Sequence, residues 1–274
     1  MNVRTYLEQQ QVHPQLIRAV EEFRNQYPVE EKVKYRVSDP MMPFYGTEIL
    51  EMGIAALLQK ENLLLSGSKA TGKNVLAENL AWIFQRPTYN ISFHVNTGSG
   101  DLIGTDTFED NQVKLRKGSI YQCAEYGGFG ILDEINMAKN DAVSVLHATL
   151  DYRRSIDVPG YDKIELHPAA RFIGTMNYGY AGTKELNEAL VSRFLVIQMP
   201  DQNEETLEKI FTTSFPEGKP EAIEQFNRTS GSAKKGGERR NIHKSSGSSR
   251  NPCFVAGNPP GTETVSGCED GCDQ

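Results

Sequence analysis

A glycine-rich segment lies between a short apolar stretch and a helical pattern near residue 70. It reads Gly67-Ser68-Lys69-Ala70-Thr71-Gly72-Lys73-Asn74. Glycines let backbone N–H groups converge on phosphate oxygens, and a helix that begins there adds positive potential. Lys73 has the spacing that reaches the β- and γ-phosphates of a nucleotide. The segment therefore predicts a phosphate-binding loop, and an ordinary strand-to-helix turn is the alternative interpretation.

The last position of this loop departs from the usual pattern. Loops of this kind carry Ser or Thr there, and its hydroxyl ligates Mg²⁺. This chain has Asn74 instead. Because an amide oxygen is also a ligand for a hard cation, we expect Asn74 to take part in binding the metal ion.

Two carboxylates follow a second apolar stretch. Phe129–Leu132 has the composition of a buried strand, and Asp133 and Glu134 come directly after it. The carboxyl ends of strands are where α/β folds bind ligands. We expect Asp133 to hold Mg²⁺, directly or through water, and Glu134 to polarise an attacking water. The alternative is that both acids cap the next helix; the phosphate-binding loop upstream favours the catalytic interpretation.

Two further polar residues could complete such a site. Asn177 ends the apolar stretch that begins at Phe172, and it could orient the water or contact the γ-phosphate. An asparagine after a strand is also a common turn residue. Arg193 lies between apolar neighbours, where it is either a surface or helix-terminal charge or an arginine that stabilises the transition state in a neighbouring subunit.

The elements around these residues alternate between strand and helix. This alternation predicts an α/β fold with a parallel sheet covered on both faces. Two charged hairpins are expected at Asp106–Lys117 and Ser155–Leu166. Strands are predicted at Asn62–Leu65, Thr88–Phe93, Gly128–Leu132, Arg171–Thr175 and Leu195–Gln198, and helices at Tyr6–Tyr27, Thr47–Gln59, Asn74–Phe84, Ser119–Glu125, Lys139–Leu150 and Glu185–Val191.

Composition narrows the functional classes. The chain has 274 residues and a net charge of −7, and 38% of its residues are hydrophobic, which suits a folded, water-soluble protein. The acidic balance argues against a protein that coats nucleic acid. No apolar run reaches the ~18 residues of a membrane span, and no secretory leader is visible. The expected location is therefore the cytoplasm.

The ordered set of motifs resembles the AAA+ ATPases. The residues that carry the resemblance are Gly67–Asn74, Leu132–Asn136, Thr175–Asn177 and Ser192–Phe194, with Asp101–Gly104 and Asn187–Leu190 in addition. Within these ATPases the chain is most similar to the MoxR-type, dynein-related group. The resemblance covers roughly residues 43–226.

The resemblance implies an ATP- and Mg²⁺-dependent P-loop ATPase that assembles as a ring, usually a hexamer. Lys73, Asn74, Asp133, Glu134 and Asn177 would serve their own site, and Arg193 the next one. Phe44, Tyr45 and Gly46 would lie near the nucleotide base. The two hairpins would match inserts of the family. Family members commonly act as chaperone-like machines that remodel a protein, often with a partner that carries a von Willebrand factor A domain.

The composition changes near residue 227. Of the 48 residues from Asn227 to Gln274, 15 are Gly or Ser, and such a segment cannot bury enough apolar surface to order itself. We therefore divide the chain into an N-terminal helical extension (1–42), an AAA+ core (43–226) and a disordered tail (227–274). Members of the family continue at this point into a small helical lid. We therefore expect this chain to have a P-loop AAA+ core without the lid.

Codon degeneracy offers an explanation for the tail. Codons exist for Glu238–Phe254 that give, one base later, an amphipathic sequence resembling the lid. We therefore expect a frameshift near Phe226–Gly237 and weak hydrolysis and assembly without the lid. A natural Gly/Ser-rich tail is the alternative.

Three other functions remain open from the sequence. A nucleotide-gated binding scaffold would keep the site residues without significant hydrolysis. A small-molecule kinase would share the phosphate loop, but it has no need for an arginine supplied by a neighbour. A nucleic-acid motor is disfavoured because the basic residues do not cluster.

Overall fold

The computed structural model describes residues 2–177 and 186–214. Five of the strands in these residues form one parallel sheet in the order β2-β5-β8-β1-β9, and the others form two antiparallel hairpins, β3–β4 and β6–β7. The strands are β1 (Leu63–Gly67), β2 (Thr88–Ser92), β3 (Gly104–Glu109), β4 (Gln112–Lys117), β5 (Phe129–Asp133), β6 (Ser155–Ile156), β7 (Ile164–Glu165), β8 (Arg171–Asn177) and β9 (Leu195–Gln198).

Helices cover both faces of the sheet. Leu63 and Leu65 of β1 belong to the apolar cluster under α1–α4, whereas Leu64 belongs to the cluster under α5–α8. This follows from the alternation of side chains along a strand. The predicted α/β fold with a doubly covered parallel sheet is thereby confirmed. The helices are α1 (Val3–Gln9), α2 (Pro14–Gln26), α3 (Thr47–Leu58), α4 (Lys73–Ile83), α5 (Ser99–Ile103), α6 (Ser119–Tyr126), α7 (Asn140–Leu150), α8 (Glu188–Val191) and α9 (Glu204–Ser214).

The first predicted helix was wrong in its extent. Instead of one helix over Tyr6–Tyr27, α1 ends before a break at residues 10–13 and α2 begins at Pro14. Proline has no N–H to continue a helix, but it is tolerated at the first helical position. Gln11 takes a positive φ of 58°, so the chain reverses between the two helices.

Several elements were not predicted. These are α5, α9 and the 3₁₀ helices Glu31–Arg36 and Ile135–Met137. The β6–β7 hairpin, predicted over Ser155–Leu166, pairs over only two residues of each strand. The short segments among these carry too few apolar positions for a period to be recognised. Helix α9 has 11 residues, with Leu207, Ile210 and Phe211 at helical spacing, so its signal was visible and was missed.

The N-terminal residues pack closely against the rest of the described chain. Phe23 of α2 lies edge-on against Phe84 with ring centroids 5.0 Å apart. The buried Arg86 donates a hydrogen bond of 2.5 Å to the carbonyl of Tyr27. Arg171, equally buried, stacks over the ring of Phe23 at 5.5 Å. Residues 2–42 therefore share one hydrophobic core with the sheet.

The expected disordered tail, the frameshift and the missing lid concern residues outside the described ranges. Within those ranges, no helix has the length and apolar character needed to cross a bilayer.

Candidate active site

The predicted phosphate-binding loop joins β1 to α4, which is the strand–turn–helix context that its sequence predicted. Gly72 has φ of +86° and caps α4, a conformation that favours glycine. At the start of the loop, a Cβ on Gly67 would lie 3.0 Å from Cβ of Met199. The two glycines therefore allow a sharp turn and a close approach of backbones directly before the helix begins at Lys73.

The side chain of Lys73 folds back into the loop. Its ammonium nitrogen Nζ donates hydrogen bonds to the carbonyls of Gly67 at 3.1 Å and Ser68 at 2.6 Å, and lies 3.4 Å from Oγ1 of Thr71. Burial lowers the pKa of this ammonium, and the charge of Asp133 opposes that shift. The loop thus holds a cation facing the carboxylate at the end of β5.

Thr175 connects the two predicted acidic residues. Its hydroxyl donates a hydrogen bond of 2.6 Å to Oδ1 of Asp133 and accepts one of 3.3 Å from the backbone N–H of Glu134. Thr175 is buried. No role was predicted for it, although it precedes Asn177 by two positions on a strand and so shares its side of β8.

Asn177 contacts Glu134. Its Nδ2 donates a hydrogen bond of 3.3 Å to Oε1 of the glutamate. Glu134 itself is exposed and has a positive φ of 54°, an uncommon conformation for a residue with a side chain. This backbone bend turns the glutamate away from the strand, and Asn177 then contacts its carboxylate from β8.

A cavity of about 360 Å³ brings most of the predicted site residues together. Asn74 lies in it, exposed, at the first turn of α4. Gly67 and Ser68 do not line the cavity, and their carbonyls accept hydrogen bonds from Lys73. The residues that line the cavity are Lys69, Ala70, Thr71, Gly72, Lys73, Asn74, Val75, Asp133, Glu134, Thr175 and Asn177.

A second cavity, of about 280 Å³, adjoins the loop at Thr71, Gly72 and Val75. One wall is the segment from Met42 to Ile49, and the other is residues 199–210. Tyr45 of the first wall also contacts Thr213, further along α9, with their hydroxyl oxygens 2.7 Å apart. Phe44, Tyr45 and Gly46, which the resemblance placed near a nucleotide base, all line this cavity.

Arg193 lies at the amino ends of the parallel strands, whereas the predicted phosphate-binding loop lies at their carboxyl ends. Asn62, at the amino end of β1, donates a hydrogen bond of 3.3 Å from Nδ2 to the carbonyl of Arg193. Its guanidinium donates to the carbonyls of His147, at 3.2 Å, and Ala189, and lies 3.9 Å from Asp151. Since β1 spans about 15 Å at ~3.3 Å per residue, Arg193 is far from Lys73 of the same chain.

Comparison with known families decides what this arrangement is. The chain matches the family described as "AAA domain (dynein-related subfamily)" over residues 62–194. Residues 62–194 form an AAA domain of the dynein-related subfamily. The match covers the phosphate loop, both acids, Asn177 and Arg193, so the resemblance drawn from the motifs is confirmed for this domain.

Curated relatives are similar to this chain over a stretch longer than the AAA domain. YojN, an uncharacterized protein of Bacillus subtilis, is 34% identical over 165 residues, which are 58% of this chain and 54% of YojN. An uncharacterized protein of Staphylococcus saprophyticus is 34% identical over 51% of this chain and 55% of its own length. The chain thus spans about half the length of the curated relatives it matches.

A crystal structure of a candidate ATPase from Cytophaga hutchinsonii has the same fold. It superposes with a TM-score of 0.51 at 19% sequence identity, over 72% of this chain and 55% of that one. At this identity the likeness concerns the fold.

Proposed function

We propose that this protein binds ATP with Mg²⁺ and hydrolyses it to ADP and phosphate. The observation that carries the proposal is the single cavity in which Lys73 of the phosphate loop meets Asp133 and Glu134 at the end of β5. The loop backbone and Lys73 would hold the phosphates. Asp133 and Asn74 would hold Mg²⁺, and Glu134 would accept a proton from the attacking water.

The donor set suits both groups. The metal side has a carboxylate and an amide oxygen, which are ligands that Mg²⁺ accepts. The phosphate side has a glycine-capped helix N-terminus and an ammonium group that already contacts the loop carbonyls. When bound, Mg²⁺ would neutralise charge that develops on the phosphate oxygens. The adjoining cavity beside Phe44 offers an apolar site for the base.

The position of Arg193 favours a ring. Arg193 lies at the edge of the sheet opposite the phosphate loop, so it can serve a nucleotide only in a neighbouring subunit. A ring, usually a hexamer in this family, would bring Arg193 of one copy to the site of the next. MoxR-type, chaperone-like remodelling of a protein partner, such as one with a von Willebrand factor A domain, is the function we propose for that assembly, in the cytoplasm.

The experiment is a comparison of the full chain with Glu134→Gln and Lys73→Ala. We expect Mg²⁺-dependent ATP hydrolysis by the unaltered chain. Glu134→Gln should keep ATP binding but lose about a hundredfold or more in turnover, because the general base is gone. Lys73→Ala should lose ATP binding. Equal turnover by Glu134→Gln and the unaltered chain would refute the role of Glu134.

The same experiment separates the enzyme from the scaffold. A chain that binds ATP and does not hydrolyse it, with or without Glu134, would be a nucleotide-gated scaffold. The expected weakening of turnover and assembly by a missing lid stays a prediction, because residues 227–274 lie outside the described ranges.

A further inference from the structure

Phe44 is held at both of its backbone polar groups by buried side chains from two different helices. Its N–H donates a hydrogen bond of 3.2 Å to Oδ1 of Asn79 in α4. Its carbonyl accepts one of 2.7 Å from the hydroxyl of Tyr6 in α1. Phe44 belongs to no helix or strand, so these side chains replace the partners that regular structure would supply.

Asn79 is an unusual residue for its place. It is completely buried in the middle of α4, where asparagine is a poor helix former and a buried amide requires hydrogen-bond partners. Besides accepting from Phe44, it donates from Nδ2 to the carbonyl of Met42 at 2.9 Å and to that of Val75 at 2.7 Å. Its side chain therefore fastens the segment from Met42 to Phe44 to the helix that begins at Lys73.

The ring of Phe44 lies against the phosphate loop. It is buried, and a Cβ on Gly72 would lie 3.6 Å from its Cε2. On the other side of the ring, a Cβ on Gly46 would lie 3.2 Å from its Cε1. Phe44 thus forms the part of the second cavity that adjoins the loop, and its position is defined relative to α4 through Asn79.

We propose that Asn79 is a positioning residue for the nucleoside half of the bound nucleotide. It places Phe44 so that the base-binding wall and the phosphate loop keep a fixed spacing. This inference rests on the proposed function. The phosphate contacts come from the loop backbone and Lys73 and do not pass through Asn79. Loss of its amide should weaken binding of the base and leave binding of the phosphates intact.

The test is a pair of titrations of the full chain in the presence of Mg²⁺, one with ATP and one with inorganic tripolyphosphate. Asn79→Leu keeps the branched shape of the side chain and removes all three hydrogen bonds. We expect its ATP dissociation constant to rise about tenfold, as loss of one or two net hydrogen bonds implies. Its dissociation constant for tripolyphosphate should stay within about twofold of the unaltered chain.

Thr88→Val is the matched control. Thr88 Oγ1 donates a hydrogen bond of 3.2 Å to the carbonyl of Arg36, so it also fastens the N-terminal residues to the sheet. Thr88 lines neither the phosphate cavity nor the cavity beside Phe44. Both dissociation constants should be unchanged in this variant, although its thermal stability falls as that of Asn79→Leu does.

Tyr6→Phe provides a second variant in case Asn79→Leu does not fold. It keeps the ring that packs edge-on against Trp82 at 5.4 Å and removes only the bond to the Phe44 carbonyl. ATP binding should weaken about fivefold, again without an effect on tripolyphosphate.

The outcomes separate this inference from the proposed function. If the unaltered chain binds ATP and the two variants bind it equally well, the positioning role is refuted and the ATP site stands. If the variants lose ATP and tripolyphosphate to the same extent, Asn79 supports the loop as a whole and the inference is also refuted. If the unaltered chain binds neither, the proposed function fails together with the inference.

Discussion

The hydroxyl of Thr175 donates a hydrogen bond of 2.6 Å to Oδ1 of Asp133. The hydroxyl oxygen of Thr175 also accepts a hydrogen bond from the backbone N–H of Glu134, whose backbone has the uncommon φ of 54°. One buried side chain on β8 therefore sets the orientation of the Asp133 carboxylate and supports the bend that carries Glu134. Groups that orient the ligands of a metal ion often affect activity almost as strongly as the ligands do.

Removal of this hydroxyl should impair turnover. We expect Thr175→Val to lower kcat about tenfold or more, because the Asp133 carboxylate loses the bond that orients it. Thr175→Ser keeps the hydroxyl and should retain most of the activity. Steady-state ATP hydrolysis over a range of Mg²⁺ concentrations measures both variants. Full activity in Thr175→Val would show that Asp133 needs no such support.

Arg193 should act in a neighbouring subunit. Arg193→Ala is expected to lower turnover about a thousandfold while ATP still binds. The reason is that the guanidinium stabilises charge that develops only in the transition state. Glu134→Gln is expected to be inactive for a different reason, the loss of the general base. A mixture of the two variants should regain activity, since Glu134→Gln subunits supply an intact Arg193 to their neighbours.

Arg193→Lys is the control for the contacts that Arg193 makes within its own chain. Arg193→Lys keeps the charge but lacks the planar group that donates to His147 and Ala189. Comparison of the melting temperatures of both Arg193 variants separates lost contacts within the chain from a lost catalytic charge. An inactive mixture of folded, ring-forming variants would contradict action between subunits.

Asn74 is expected to be a weaker Mg²⁺ ligand than a hydroxyl at the same position. We predict that Asn74→Thr lowers the Mg²⁺ concentration for half-maximal turnover roughly fivefold, which corresponds to about 1 kcal/mol. Asn74 is exposed at the first turn of α4, so the substitution should leave the melting temperature nearly unchanged. Asn74→Ala is the control and should have the opposite effect on the Mg²⁺ requirement.

His167 should make the fold sensitive to mild acid. Burial, and then the charge of Arg86, lower the pKa of His167, while Glu30 opposes the shift. Its Nδ1 accepts the N–H of Ala169 at 3.1 Å, a bond that is lost on protonation at that atom. The unfolded chain therefore binds more protons than the folded one, and the free energy of unfolding falls as pH drops through 6.5.

Denaturant titrations between pH 7.5 and 5.5 measure this effect. His167→Asn offers an oxygen acceptor to Ala169 and does not titrate, so the pH dependence should become shallower. It should not vanish, because burial and Arg193 also lower the pKa of His147. An unchanged slope in His167→Asn would remove His167 as a cause.

The sequence allowed the sheet and the phosphate loop to be predicted because their signals are local. An apolar strand, a glycine turn and a helical pattern follow one another at Leu63–Ile83, and each acid or amide after a strand lies at the same sheet edge. The N-terminal helix was wrong in extent because the apolar spacing after Pro14 was extended back to Tyr6 across the polar residues Gln10 and Gln11. The backbone reverses at Gln11, and the visible signal for a new helix is Pro14, which is tolerated at a first helical position.

Other features depend on contacts between distant parts of the chain. Asn79 reads as one polar residue within a helix, and its partners Met42 and Phe44 lie in a segment without a regular period. The spacing of Thr175 from Asn177 was visible in the sequence. Its hydrogen bond to Asp133 was not, because that bond depends on β5 and β8 being neighbours in the sheet. Sequence patterns identify candidate donors and acceptors, whereas the fold decides which of them meet.

The buried arginines also bear on the order in which the chain assembles during synthesis. Helix α2 is made before two of its partners, because Phe23 meets Arg171 and Tyr27 meets Arg86 only after those residues have been made. At about 5–20 residues per second, α2 waits on the order of ten seconds for Arg171. Phe84, which also packs on Phe23, is made well before Arg171, so the apolar side of α2 is covered in two steps that are separated in time.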